Sequence, residues 1–280
     1  MRVGELARAV ASAGREGLLQ LRFVASHRGT WLASRLSVAP LRVHRAFATS
    51  DGAAIVQIVH IGPGILAGDG SAVEVHVGRG ASAVIVPQSA TKIHAMAEGT
   101  CARQDVRIRV EEGGYLEMHG ALGIPFPGAA FEQRVEVDLA PGAAVLWTER
   151  WTTGRDLSGE RRGAFRRISS RVEVRIAGEL RYADATELIG TADTGDAPRA
   201  DALGILEGYA NLASGVFVGD VAHELPEETG LAVGRFGDDG LYLRCLTNDA
   251  GTARRAVFGF AGALRTAHGR PSLPYGRYTG

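Results

Sequence analysis

The chain reads as a mainly β protein of stacked antiparallel or mixed sheets, with two helices in its C-terminal third. Three observations carry that reading. Apolar and polar residues alternate in segment after segment, as in Val73-Glu74-Val75-His76-Val77, and a period of two belongs to strands. Turn signals such as Glu111-Glu112-Gly113-Gly114 and Ala140-Pro141-Gly142 separate the segments. No helical pattern intervenes over the first two thirds, which excludes βαβ units and leaves an antiparallel sandwich or a layered β-stack.

Taken in order, strands are predicted over 18–26, 31–38, 53–61, 71–77, 81–86, 105–110, 115–119, 131–139, 144–151, 164–176 and 179–183, then over 216–221 and 241–247. The first helix is placed after Asp196 and Pro198, where Leu203, Leu206, Tyr209, Ala210 and Leu212 recur near helical spacing. The second runs over 252–268, with Val257, Phe258, Ala261 and Leu264 on one face and Arg254, Arg255 and Arg265 assigned to solvent. No low-complexity linker interrupts the series, so residues 1–280 are read as one β-rich domain.

The 280 residues are 45% hydrophobic and carry a formal net charge of +0. Such a balance implies no general attraction to nucleic acid or to an acidic membrane surface. Two distant cysteines, Cys101 and Cys245, form neither a disulfide framework nor a zinc pair. No apolar run has the length of a signal or membrane segment, so a cytoplasmic location is expected. Lys92 is the single lysine among 31 basic Lys and Arg residues, which singles it out for scrutiny.

Gly62-Pro63-Gly64-Ile65-Leu66-Ala67 satisfies GxGxxG/A directly after a strand. A dinucleotide cradle requires a helix N-terminus behind that turn. Here the residues after Gly70 alternate as a strand, the acidic ribose ligand about 20 positions on is missing, and no Gly-Lys-Ser/Thr closes a Walker loop. The turn therefore joins strand to strand and carries Asp69 toward Lys92. An ion pair between those two, locking the turn from inside, is the preferred role for Lys92. A second polar segment, Trp147 to Glu160, places Glu149, Arg155 and Glu160 around a glycine turn at spacing that permits an Arg-carboxylate network.

The strings GPGILAGD, QSATKIH, WTERWTTGRDLSGE, the strand end Arg181-Tyr182-Ala183-Asp184 and the tail LYLRCLTNDAGTARRAVFGFAGALR, in that order, resemble the urease accessory protein family UreD, also called UreH. The likeness runs from about residue 41 to 265, with Ile65 and Ala67 replacing two glycines that the family has in its turn. The resemblance implies a non-enzymatic scaffold, folded as β-sheets stacked like a distorted β-helix with a pair of helices. It implies partners: apo-urease, the helical protein UreF, through which a homodimeric assembly forms, and the GTPase UreG. It further implies an internal route by which nickel passes to urease, with no permanently bound cofactor.

On that resemblance Asp69, Glu149, Glu160 and Asp184 are expected near a polar interior, and Gly68, Thr91, Lys92, Gly154, Arg155 and Gly159 serve the turns or the partners. Imidazole suits nickel, so His60, His76 and His94 are added as transient ligands, His60 and His76 converging if their strands pair. No HxH or HxxxH spacing writes in a permanent site. Two other classes stay open on the residues alone. One is a glycoside hydrolase drawing on Glu112, Glu117, Asp138 and Glu149. The other is a carbohydrate- or protein-binding β module.

Overall fold

The computed structural model describes residues 14–154, 163–193, 195, 197–220 and 232–279. The chain opens with β1 (Glu16–Ser26), β2 (Gly29–Val38), β3 (Leu41–Val43), β4 (Phe47–Ala48), β5 (Ala54–His60), β6 (Gly70–Val77), β7 (Ser82–Pro87) and β8 (Thr91–Ile93). It continues through β9 (Ala102–Val110), β10 (Tyr115–Pro125), β11 (Ala130–Leu139), β12 (Ala144–Thr152), β13 (Arg167–Ile176) and β14 (Glu179–Ile189). The last third holds β15 (Asn211–Val218), β16 (Ala232–Phe236), β17 (Gly240–Thr247) and α1 (Ala250–Ala267).

From β5 to β13 the chain passes back and forth between two sheets. β6, β9, β11 and β13 are parallel neighbours in one sheet, while β5, β7, β10 and β12 are parallel neighbours in the other. Each pass adds one rung to both layers, which makes the stack solenoid-like. Antiparallel strands close the ends: β2 and β14 flank the first sheet, and β15, β17 and β16 extend the second.

The two sheets differ in what covers them, and the local sequence says so. Strands of the first sheet alternate strictly, as in Val135-Glu136-Val137-Asp138, because one side meets the core and the other meets water. Their outward residues form in-register rows, Glu74, Arg107, Glu136 and Glu173 beside His76, Arg109, Asp138 and Arg175. The second sheet is covered on both sides; every residue of β15 is buried. Its inner side contributes Val56, Ile85, Leu116 and Val145 to the core between the sheets. Its outer side packs Val84, Leu146, Phe217 and Leu243 against Ala253, Val257, Phe260 and Leu264 of α1.

One cation fastens α1 to that outer side. Arg265, fully buried, places Nη1 2.5 Å from Glu117 Oε1 and Nη2 2.7 Å from Asp51 Oδ2, and its Nε donates to the Pro271 carbonyl at 2.7 Å. The Tyr115 and Tyr275 hydroxyls donate to Glu117 at 2.9 and 2.6 Å. Burial pushes the Glu117 carboxyl up, but neighbouring His119, the Arg265 charge and the Tyr275 hydroxyl outweigh it and hold the group below its ordinary value. Arg265 is thus not on the solvent side of the helix, where its spacing put it.

The mainly β reading holds, with one α-helix among the described residues in place of the two expected. Residues 200–208 form successive turns, and β15 begins at Asn211. Gly204 and Gly208 sit at φ +79 and +80, and Glu207 at φ +50, which breaks any helical run. Ala200 and Leu206 are buried, whereas Leu203 is 90% exposed. A recurrence of apolar residues there reflects two anchors of a turn rather than a helix face.

Candidate functional site

Between the sheets the interior opens into a cavity of about 110 Å3. β5 contributes His60, β6 Ser71, β8 Thr91, β9 Gln104, β11 Gln133 and β12 Glu149, with Ile58, Ile93, Phe131, Trp147 and Trp151 between them. Parity along each strand aims these polar groups inward. On β12, Trp147, Glu149 and Trp151 share the face of Val145, while Leu146 and Arg150 take the other.

Glu149 is 3% exposed. It accepts hydrogen bonds from Gln133 Nε2 at 2.9 Å, Ser170 Oγ at 2.7 Å and Ser214 Oγ at 3.3 Å. Burial raises its pKa, and the Ser170 bond offsets only part of that. Arg244 and Asp184 act on it from a distance with opposite signs. Those two pair with each other across the sheets, from β17 to β14. Desolvation also raises the Tyr182 hydroxyl beside them, to about 12. The Trp147 indole N–H, buried in the cavity wall, has no protein acceptor among the described residues, so the wall offers donors as well as the Glu149 acceptor.

At the other rim lies the Asp69 turn. Asp69 Oδ1 accepts from the Arg15 backbone N–H at 3.0 Å and stands 3.8 Å from Arg15 Nε, while Oδ2 accepts from the Leu66 N–H at 2.8 Å. The carboxylate therefore braces its own turn with Arg15, not with Lys92. Lys92 is exposed and, among the described residues, forms no ion pair. What joins the turn to Lys92 is backbone: the Ile65 N–H donates to the Lys92 carbonyl at 2.9 Å, and the His94 N–H donates to the Ile65 carbonyl at 2.9 Å. A Cβ on Gly64, which sits at φ +133, would meet that Lys92 oxygen at 2.5 Å, so the close approach requires glycine.

His60 lies at this rim, half-buried, its pKa lowered by burial and by Arg15 against the opposing field of Asp69. His76 does not join it. β5 and β6 belong to different sheets, and His76 faces outward, 2.8 Å from Glu111 Oε1. His94 holds the Pro63 carbonyl at 2.9 Å and meets Phe126 edge-on. Gly68 adopts φ +73 in the turn. Gly154 adopts φ +101, where a Cβ would meet the Pro125 carbonyl at 2.6 Å. Arg155, Gly159 and Glu160 lie outside the described residues. Of the expected nickel path, then, His60 and Glu149 line one cavity, Asp69 and Asp184 are outside its lining and bound to Arg15 and Arg244, and His76 and His94 are engaged elsewhere.

Gln104, Gln133, Ser170 and Ser214 were not singled out from sequence. Gln133 has the parity of Val135 and Val137, so counting along β11 from its apolar face would have found it. Ser170 has the same signal, the parity of Ile168, Val172 and Val174 on β13, whereas Ser214 lies in a strand buried on both faces and carried none. The carboxylates weighed for sugar hydrolysis do not meet: Glu112 and Asp138 are exposed, Glu117 lies under α1, and Glu149 faces the cavity. Among the described residues no three of His, Cys, Asp and Glu gather as a metal site, and no helix is long and apolar enough to cross a membrane.

A family model described as UreD urease accessory protein matches residues 15–277. The chain is 34% identical over 266 residues to "Urease accessory protein UreD 1" of Synechococcus sp. (strain JA-3-3Ab), covering 93% of this chain and 95% of that protein. It is 36% identical over 213 residues to the protein named urease accessory protein UreD in Deinococcus radiodurans, 76% of this chain and 74% of that one. A protein of the same name in Actinomyces naeslundii is 32% identical over 251 residues, 85% and 90% of the two chains.

Proposed function

This chain belongs to the UreD urease accessory protein family, and on that premise we propose that it is a cytoplasmic maturation scaffold. It binds apo-urease together with UreF and the GTPase UreG, in an assembly made homodimeric through UreF, and helps nickel reach the urease active site. Nickel is cargo here, not a resident cofactor, and the chain performs no chemistry of its own.

The observation that carries the reading is the cavity around Glu149. A carboxylate with no cation within ion-pairing distance among the described residues stands in a wall of amide and hydroxyl groups. Oxygen ligands of that kind, with one imidazole at the rim, bind a passing divalent ion weakly enough to release it. In this proposal the route runs between the Asp184–Arg244 pair and the Asp69 turn, each a carboxylate already held by an arginine.

The test is urease activation in cells that carry this chain as their sole UreD. Glu149→Gln keeps the shape and the hydrogen-bonding side chains, so the assembly with apo-urease and UreF should still co-purify while urease nickel content and activity fall. Normal nickel loading by that variant would remove the cavity from the pathway. Failure of the parent chain to co-purify with apo-urease or UreF would overturn the scaffold itself.

A further inference from the structure

We propose that Arg150 and Arg254 form an anion site at the start of α1 that takes a carboxylate from an acidic segment of a partner protein. Arg150 points out of β12 on the helix side and is 8% exposed. Its guanidinium carbon lies 5.7 Å from the centre of the Phe258 ring, and that of Arg254 lies 5.9 Å from the same centre. Tyr275 stacks on Phe258 at 4.7 Å. Neither arginine forms an ion pair among the described residues. Arg254 donates to the Thr279 carbonyl and hydroxyl at 3.1 and 3.0 Å, both neutral acceptors. The charged group acting on Arg150 is Arg254, another cation, and burial together with that repulsion lowers the Arg150 pKa to about 10.

A buried guanidinium beside a second one is a costly arrangement unless an anion completes it. The helix adds to the cost. α1 carries no acidic residue in its first turn, and Arg254 and Arg255 lie close behind it, near the positive end of the helix dipole. Asp249, the N-cap, is already engaged, accepting from the Gly251 and Thr252 N–H groups at 3.2 and 2.8 Å. Beside Arg254 lies an open depression of about 510 Å3 lined by Gly251, Arg254, Arg255, Phe258, Leu273 and Tyr275; Arg150 is not part of that lining and adds its charge across the Phe258 ring it shares with Arg254. Two cations beside aromatic and aliphatic walls fit a carboxylate on a carbon chain better than a small hydrated anion. The choice of a protein segment as occupant rests on the scaffold reading above.

The experiment measures binding of fluorescein-labelled hexaglutamate to the full chain by anisotropy, with labelled hexaglutamine and inorganic phosphate as separate arms. Hexaglutamate should bind and hexaglutamine should not. Arg150→Met and Arg254→Gln should each weaken hexaglutamate at least tenfold, while Arg107→Gln, on the far sheet, stays within twofold. The melting temperature of free Arg150→Met should equal or exceed that of the parent, since an unpaired buried charge has been removed. A lower melting temperature with peptide binding retained would make Arg150 merely structural and overturn the site. Phosphate bound more tightly than hexaglutamate would overturn the proposed occupant. Peptide binding and co-purification with apo-urease are read independently, so either can fail alone.

Discussion

The outer sides of the two sheets carry charge under opposite conditions. On the first sheet Arg107 and Glu136 stand 3.6 Å apart in a row open to water, and Arg171 and Arg175 flank Glu173 at 2.9 and 2.8 Å. On the second sheet Glu117 and Arg265 meet at 2.5 Å with both side chains fully buried. Exposed pairs contribute about 0–1 kcal/mol each, because water already solvates both partners. A buried pair is different: its net contribution is small, yet losing one partner strands the other, at about 3–5 kcal/mol. The lesson is that many ion pairs here keep a sheet solvated, while one decides whether the helix stays docked.

Breaking the buried side should give the largest effect. Arg265→Met is expected to cost about 3–5 kcal/mol in urea unfolding, and a loss below about 1 kcal/mol would erase the distinction between the two sides. The same pair sets an acid dependence. Glu117 and Asp51 both have carboxyl pKa values held below their unfolded ones. Their stabilisation is therefore fully present above about pH 4.5, the ordinary carboxyl range, and is lost as pH falls through the folded values. Arg265→Met should flatten that acid limb of a stability-against-pH curve.

Glu149 has the opposite sign and sharpens the comparison. Its pKa is raised in the fold, so the native state resists its ionisation and loses stability as pH rises from the unfolded value through the folded one. Glu149→Gln should melt higher than the parent at pH 7, by the equivalent of about 1 kcal/mol, with the two curves converging near pH 4. Equal melting temperatures at both pH values would mean that the cavity does not penalise charge. Arg107→Ala, on the solvated side, should change stability by about 0.5 kcal/mol or less. Lys92→Met should change it least, because the exposed side chain braces nothing among the described residues; a marked drop would restore the internal pairing with Asp69.

Much of the fold was legible because strand parity is local. Val-Glu-Val-His-Val and Val-Arg-Ile-Arg-Val announce a half-covered sheet, and the runs in β7 and β15 announce a doubly covered one. The last helix was legible too, although it starts at Ala250, capped by Asp249, and not at 252. The segment at 200–208 was misread, since glycines at positive φ can end a helix that periodicity alone supports. At the site, Glu149 and Asp69 were singled out by the family resemblance. The partner of Asp69 was not, because Arg15 lies 54 residues away along the chain and reaches it only through the parallel pairing of β1 with β6.

By itself the sequence determined the class of fold, most of its longer strands but not β3, β4, β8, β16 or the start of β15, the exclusion of a nucleotide cradle and the family. Those follow from short-range alternation, turn chemistry and ordered motifs, which need no knowledge of what packs against what. Only the tertiary structure decided that Arg265 faces inward, that His60 and His76 part company, and that Glu149 looks into a cavity lined with Gln133 while accepting from Ser170 and Ser214. Each depends on which sheet a strand enters and what covers its far side. That is set by burial summed over the whole stack, and a window of ten residues does not contain it.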